Sequence, residues 1–548
     1  MHSHRSRRFR GALGSLVVVG VLLAACGDDS SDSGTSSATT AGAATSSGSS
    51  VAATTTAAQN IDANGILKVG FDLAAGSTPV TLDPIKSRSA GDYVYQSLIY
   101  DSLIRMKPDG GFAPGLAESF SVVDPKTLKV TLRSGLTFTD GTPLDAAAVK
   151  FTLERSLAAK NANFAPVLSN MASATADDAR NLTIALNAPV AGAFLEVLAG
   201  REAMPVSPTA VQKDPANYDK NPVGAGPMKL SQFTPSQTLQ LRKNDTYWDK
   251  ASWKYAGIDF VAAAAGAPLI NAMLADQIDV NGIGTALTVE QGSTLSSRPG
   301  FKLQTVASDS NFAYIAICKS KPPFDNLQFR QAVAYAIDRD AINNAIYGGK
   351  GEPQYMMWPK DSRFFTASLD NTYKRDLTKA KALLTQAGYP NGIDLDTITL
   401  ESNRRLSELL QAQLAEAGIR VKLQPTADIV TDFYTNVKTP AAVSGWIRPG
   451  VQKITRAFGP NSVANVCQYS NPELNALTDQ LATMTPDDPR AKGLWDQVNK
   501  FVVDNVLWEL LAWQPLVYGV NTNRIGGDLK INVPLQAPDF SSIYVKKS

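Results

Sequence analysis

Residues 397–424 read TITLESNRRLSELLQAQLAEAGIRVKLQ. Thr397–Leu400 reads as a strand, Arg404–Ala417 as a helix stopped by Gly418, and Ile419–Gln424 as a second strand. Two strands joined through a helix form a β-α-β unit, which belongs in an open α/β sheet. Sheets of that kind receive ligands outside the carboxyl ends of their strands.

Working outward, the same alternation of strands and helices continues. Ile66–Asp72 (ILKVGFD) and Thr127–Arg133 (TLKVTLR) alternate at period two, as strands do. Asp145–Leu157 sets Ala148, Phe151, Leu153 and Leu157 near one helical face after a Thr-Pro start. Asp325–Ile346 predicts two helices around Asp338-Arg339-Asp340, and Leu377–Ala387 a further helix with Gly388 past its end. Gly111–Ala117 is a turn-rich connector into a helix start, and Leu136–Asp140 a strand ending in the tight turn Asp140-Gly141. From Ile61 onward the chain has globular composition and is too long for one ordinary core.

The amino terminus has a different character. Arg5, Arg7, Arg8 and Arg10 precede the uncharged run Gly11–Ala25, which is shorter than the roughly 20 residues a spanning helix needs. Residues 1–25 therefore read as an export signal, and Leu23-Ala24-Ala25-Cys26 resembles a bacterial lipobox that would lipidate Cys26. Residues 26–60 form the anchored linker. After Cys26 it is almost wholly Ser, Thr, Ala, Gly and Asp, and as a flexible coil it would span roughly 30 Å.

Removing the signal leaves 48 basic residues (52 minus 4) against 50 acidic ones, and no basic patch that would point to nucleic acid. Both histidines, His2 and His4, leave with it. The mature chain then lacks the means for a Ser-His-Asp or Cys-His site and the commonest transition-metal ligand. Cys318 and Cys467 remain, either paired as a disulfide or packed as separate thiols. No GxGxxG after a strand, P-loop, GxSxG or HExxH occurs. Gly224-Ala225-Gly226 reads as a turn between strands, and Asp487-Asp488 as a solvated loop pair.

Several runs together resemble one family. They are Thr81-Leu82-Asp83-Pro84, the segment YDSLIRMKPDGGFAPGLAESFSVVDPKTLKVTLRSGLTFTDGTPLDAAAVKFTLERS at 100–156, and NPVGAGPMKL at 221–230. To these add LRKNDTYWD at 241–249, PFDNLQFRQAVAYAIDRDAI at 323–342, AKALLTQAGYPNG at 380–392 and YSNPELNAL at 469–477. In this order they resemble the extracytoplasmic solute-binding proteins of ABC importers, of the peptide/nickel class called family 5. Their motif residues read as scaffold, with Arg330 and Arg339 holding carboxylates such as Asp325 or Asp338.

The resemblance implies an α/β, two-lobed periplasmic-binding-protein-like fold of type II, class C, with three domains and a hinge. Domain I would comprise residues 61–93, 225–308 and 516–548, domain II 94–224 and domain III 309–515. A ligand would lie between domains I and III, and hinge closure would bury it. The implied partners are a small solute or peptide, a membrane permease and its ATPase, with the membrane reached through the lipid anchor. A monomer on the outer face of the cytoplasmic membrane, without cofactor or resident metal, is expected. Two other readings use the same fold: a secreted carboxylate-dependent hydrolase and a ligand-sensing lipoprotein.

Candidate ligand contacts fall in five places. Ala75, Gly76 and Ser77 follow the first strand, where small residues admit backbone close to a ligand. Asn403 and Arg404 follow the strand ending at Leu400, and Arg404 could clamp a carboxylate or lie on the surface. Trp446 matches a tryptophan that, in the family's peptide binders, is followed by an aspartate for the peptide's α-ammonium. Here Arg448-Pro449 follows and no acid occurs before Asn461. Arg448 would favour an anionic group unless it faces solvent. Trp358 and Trp513 either stack on ligand or belong to the core.

Overall fold

The strand–helix–strand unit closes with its strands side by side. Ile393–Leu400 pairs in parallel with Ile419–Thr426, and helix Arg404–Glu416 connects them. The helix buries Leu406, Leu410 and Leu414 against the sheet, and the Thr399 and Ser407 hydroxyls meet at 2.7 Å. Gly418 follows with φ +97°, a left-handed conformation that lets the chain reverse directly into the next strand.

In this computed structural model residues 60–547 are described, except 73–78, 88–89, 162–167, 283–286, 307–310, 448–456, 460–461, 463–464 and 533–536. The unit just described is one edge of a six-stranded sheet. Its order is Glu352–Pro353, Glu509–Trp513, Asn311–Ile317, Ala441–Ile447, Ile393–Leu400, Ile419–Thr426. Along Asn311–Ile317, Phe312, Tyr314 and Ala316 join one core while Ala313, Ile315 and Ile317 join another. Burial on both faces explains why FAYIAI at 312–317 is continuously apolar and does not alternate.

A seven-stranded sheet runs Phe301–Val306, Leu516–Asn521, Val280–Asn281, Ile66–Phe71, Gly257–Ala262, Thr238–Lys243, Met228–Thr234. A four-stranded antiparallel sheet of Ala117–Asp124, Thr127–Leu132, Asn181–Leu186 and Met171–Ala176 carries a separate core. Asp83 links these two units. Its buried carboxylate accepts from Arg155 Nη1 at 2.8 Å and Nη2 at 2.6 Å, joining the Thr81–Pro84 motif to helix Ala146–Ala158.

Five local expectations are corrected. Ala117 opens a strand, not a helix. Leu136–Asp140 forms only an isolated bridge at Thr137, because Asp140 bonds the Thr142 N–H at 2.9 Å and the Ser207 hydroxyl at 2.7 Å and folds the segment as a turn. Gly224–Gly226 is not a turn between strands: it abuts a helix end, where a Cβ on Gly224 would stand 2.3 Å from the Ile99 carbonyl oxygen. Arg330 and Arg339 donate to backbone carbonyls, not carboxylates, while Asp338 caps its helix at Ala341 N. Asp487 is bonded to Arg363 and is not simply solvated.

Candidate ligand-binding cleft

Strand direction locates the cleft. In the seven-stranded sheet, Ile66–Phe71 is parallel to Gly257–Ala262 and Val280–Asn281, and Phe301–Val306 runs the same way through its antiparallel neighbour Leu516–Asn521. Their carboxyl ends therefore share one edge. In the six-stranded sheet, Ile393–Leu400, Ile419–Thr426, Ala441–Ile447 and Glu509–Trp513 also end together, at the edge where Asn311–Ile317 begins. The chain passes between the sheets twice, from Val306 to Asn311 and from Trp513 to Leu516. Both crossings leave from these edges, so the carboxyl ends of these strands border the junction. This is where an α/β sheet binds ligands.

Register places an aromatic row there. Phe312 is paired with Trp446 on one side and Trp513 on the other, one position inside the edge pair Asn311–Ile447. The Phe312 and Trp513 rings meet edge to face at 5.3 Å, and Trp508 packs against Phe312 at 5.4 Å. One layer deeper, the Tyr434 hydroxyl bonds that of Tyr314 and donates to Ser444 Oγ at 3.0 Å. Burial pushes the Tyr314 hydroxyl well above its ordinary pKa, so this group stays neutral. Tyr434 sits in a π-helical turn, Val430–Thr435, a geometry that recurs at functional sites.

The predicted contacts separate. Asn403 lies at the cleft edge, its side-chain amide donating to the Val443 carbonyl at 3.3 Å. Arg404 is exposed and bonded to Glu401 at 2.7 and 2.8 Å. Trp513 is 1 % exposed and Trp358 2 %, the latter packed against Phe364 and Trp495, so both rings lie in the core of the six-stranded sheet. Ala75, Gly76, Ser77, Arg448, the Trp446 side chain and Cys26 lie outside the described residues. Cys318 and Cys467 are joined as a disulfide with their Cα atoms 5.4 Å apart.

Sequence reasoning passed over Phe312, whose signal is its place at the head of an apolar strand entered from a domain crossing. At the opposite end of that strand from the cleft, Lys319 is buried under the rings of Phe458 and Tyr469, each 5.6 Å from its Nζ. Burial, reinforced by Arg330, pushes that amine down to about 7. Among the described residues no group of three or more His, Cys, Asp or Glu could hold a metal ion.

A family model described as bacterial extracellular solute-binding proteins, family 5 Middle, matches residues 111–452, more than half of the chain. The chain belongs to this family. Among relatives of this binding protein is the glutathione-binding protein GsiB of Shigella flexneri serotype 5b. It is 27 % identical over 472 residues, covering 81 % of this chain and 88 % of the relative. The fold is shared with the ABC transporter substrate-binding protein CtaP of Listeria monocytogenes (TM-score 0.76, 21 % identity, 89 % of this chain and 100 % of the other). It is shared too with AgaA from A. tumefaciens R10, solved in complex with agropinic acid (TM-score 0.74, 24 % identity, 88 % and 99 %). The architecture is thus the two-lobed α/β fold of family 5 binding proteins, which serve ABC importers. No helix among the described residues is long and apolar enough to cross a membrane.

Proposed function

We propose that this chain captures a small anionic solute, with glutathione-like peptides as the class, and delivers it to a permease from a lipid anchor at Cys26. One observation carries the choice of ligand. The segment that follows strand Ala441–Ile447 out of the cleft edge holds Arg448, Lys453 and Arg456, and no acid before Glu473. An aspartate suited to a peptide's α-ammonium is missing where Arg448 stands, and guanidinium pairs with carboxylates in a planar, two-bond geometry.

The relatives support this reading. GsiB is named for glutathione, a tripeptide with two carboxylates, and AgaA is complexed with an acid. In this scheme domain I (61–93, 225–308, 516–548) and domain III (309–515) close on the solute, with domain II (94–224) riding on domain I. In the same scheme the anchor at Cys26 keeps the receptor's local concentration at the permease high.

Isothermal calorimetry with glutathione and with dipeptides lacking a side-chain acid tests the proposal. Glutathione is expected to bind, and Arg448→Ala to weaken it by about 10- to 100-fold, the range for a lost bond to a charged group. Equal affinity in wild type and variant would sink the anion anchor. Native mass spectrometry of the purified protein would identify any retained solute directly.

A further inference from the structure

The core on the four-stranded sheet and the core on the six-stranded sheet have no chain connection of their own. Every path between them runs through strands of the seven-stranded sheet. They nevertheless touch at two places. At the first, the hairpin of Ile104–Met106 and Phe112–Pro114 presents Asp109, whose Oδ2 accepts from Arg363 Nη2. The other amino group of Arg363 is held by Asp487 on its own side. Beside this pair, a Cβ on Gly110 would stand 3.2 Å from the ring of Phe364. At the second, Gly192 in helix Ala191–Ala199 meets Met484 so closely that a Cβ would lie 1.8 Å from the Met484 carbonyl oxygen.

Both sides of the first contact are anchored. Met106 and Phe112 pack on the four-stranded core, and Phe364 lies in the six-stranded core against Trp358 and Trp495. The Arg363 side chain is 25 % exposed and that of Asp109 45 % exposed. An ion pair in that setting is weakened by water and salt, so it can bias an equilibrium without locking it.

We propose that Arg363 is a closure-setting residue: by gripping Asp109 across the lobes it raises the closed fraction, and with it solute affinity, without touching the solute. The inference rests on reading the chain as a hinge-closing receptor. A receptor whose competent state is partly populated has its affinity scaled by that fraction. The glycine-fitted Gly192–Met484 approach acts as the stop against which the lobes come to rest.

The test is a distance measurement on the full mature chain without solute. Spin labels are placed on Lys129→Cys and Lys381→Cys, exposed positions on the two cores. Arg363→Ala and Asp109→Asn are each expected to shift the distance distribution toward longer separations, and the double variant no further than either alone. Arg363→Lys, which keeps the charge, is expected to fall between them and wild type. Raising salt is expected to lengthen the wild-type distance and leave Arg363→Ala unmoved. In calorimetry with glutathione, Arg363→Ala is expected to weaken binding three- to tenfold. Coincident distance distributions in variants that melt like wild type would overturn the latch. If the distances shift while glutathione binds neither protein, the latch stands and the ligand class is wrong. If glutathione binds and the distances do not shift, the receptor reading stands and the latch is wrong.

Discussion

Asp83 and Glu509 are both fully buried carboxylates, one joining the seven-stranded and four-stranded units, the other on an inner strand of the six-stranded sheet. Asp83 is met by both terminal nitrogens of Arg155 and by the Ile85 N–H at 3.3 Å. Glu509 has two arginines close by and a hydrogen bond from neither. Arg339 is committed to the carbonyls of Gln354 and Leu510 at 2.9 and 2.7 Å, and Arg330 to those of Asn505 and Phe324 at 2.9 and 2.7 Å. Burial therefore pushes Glu509 up to about 8, with the charges of Arg339 and Arg330 opposing it. Proximity of opposite charge does not keep a buried acid ionised; directed donors are also needed.

The largest effect expected from this contrast is at Asp83. Arg155→Ala strands a buried carboxylate and should cost about 3–5 kcal/mol in urea unfolding. An Asp83→Asn, Arg155→Met double variant should recover much of that loss. A single variant as stable as wild type would break the comparison from the paired side.

Glu509→Gln comes next, with an effect that depends on pH. A raised folded pKa favours the folded state below the ordinary value of 4.5, and that advantage is lost as pH rises through about 8. Wild type should lose stability relative to Glu509→Gln across this window, by a few kcal/mol in order of magnitude at its alkaline end. Parallel stability curves from pH 5 to 9 would mean that Glu509 finds a donor after all.

Lys319 sharpens the comparison with an effect of similar size and opposite sign. Its folded pKa is depressed from 10.5 to about 7, so wild type loses stability as pH falls between those values. Lys319→Met should remove that slope in thermal melts, and an unchanged slope would mean that Lys319 does not carry it. Last, Arg404→Ala, which breaks only exposed pairs with Glu401 and Glu408, should leave the melting temperature unchanged.

Much of the fold was legible because periodicity reports burial. Strand Thr127–Leu132 and helix Ala146–Ala158 fall within a residue of their sequence readings, and Asp145 caps the helix at Ala148 N as its position suggests. Helix Leu377–Gln386 ends one residue short of its reading, and Asp325–Ile346 divides into two helices, Leu327–Ala336 and Arg339–Tyr347, around Asp338. What escaped was set by neighbours distant in sequence. Nothing local to Arg339 says that its donors will be taken by carbonyls at 334, 354, 373 and 510. The same holds for Asp487, which is polar and in a loop, and whose partner lies 124 positions away. The cleft was legible as a place, through strand order, but less so as a set of side chains. Trp358 and Trp513 carry the residue type of a ligand platform and are spent on the core.

The two crossings between the sheets also constrain how they can move. Two points fix a line, so any rotation of one sheet against the other turns mainly about the line through those crossings. Displacement in such a rotation grows with distance from the line. Phe312 and Trp513 stand next to the crossings and travel least, whichever position the lobes take. The aromatic row is therefore a fixed base buried behind the cleft, and the work of enclosure falls to the rim.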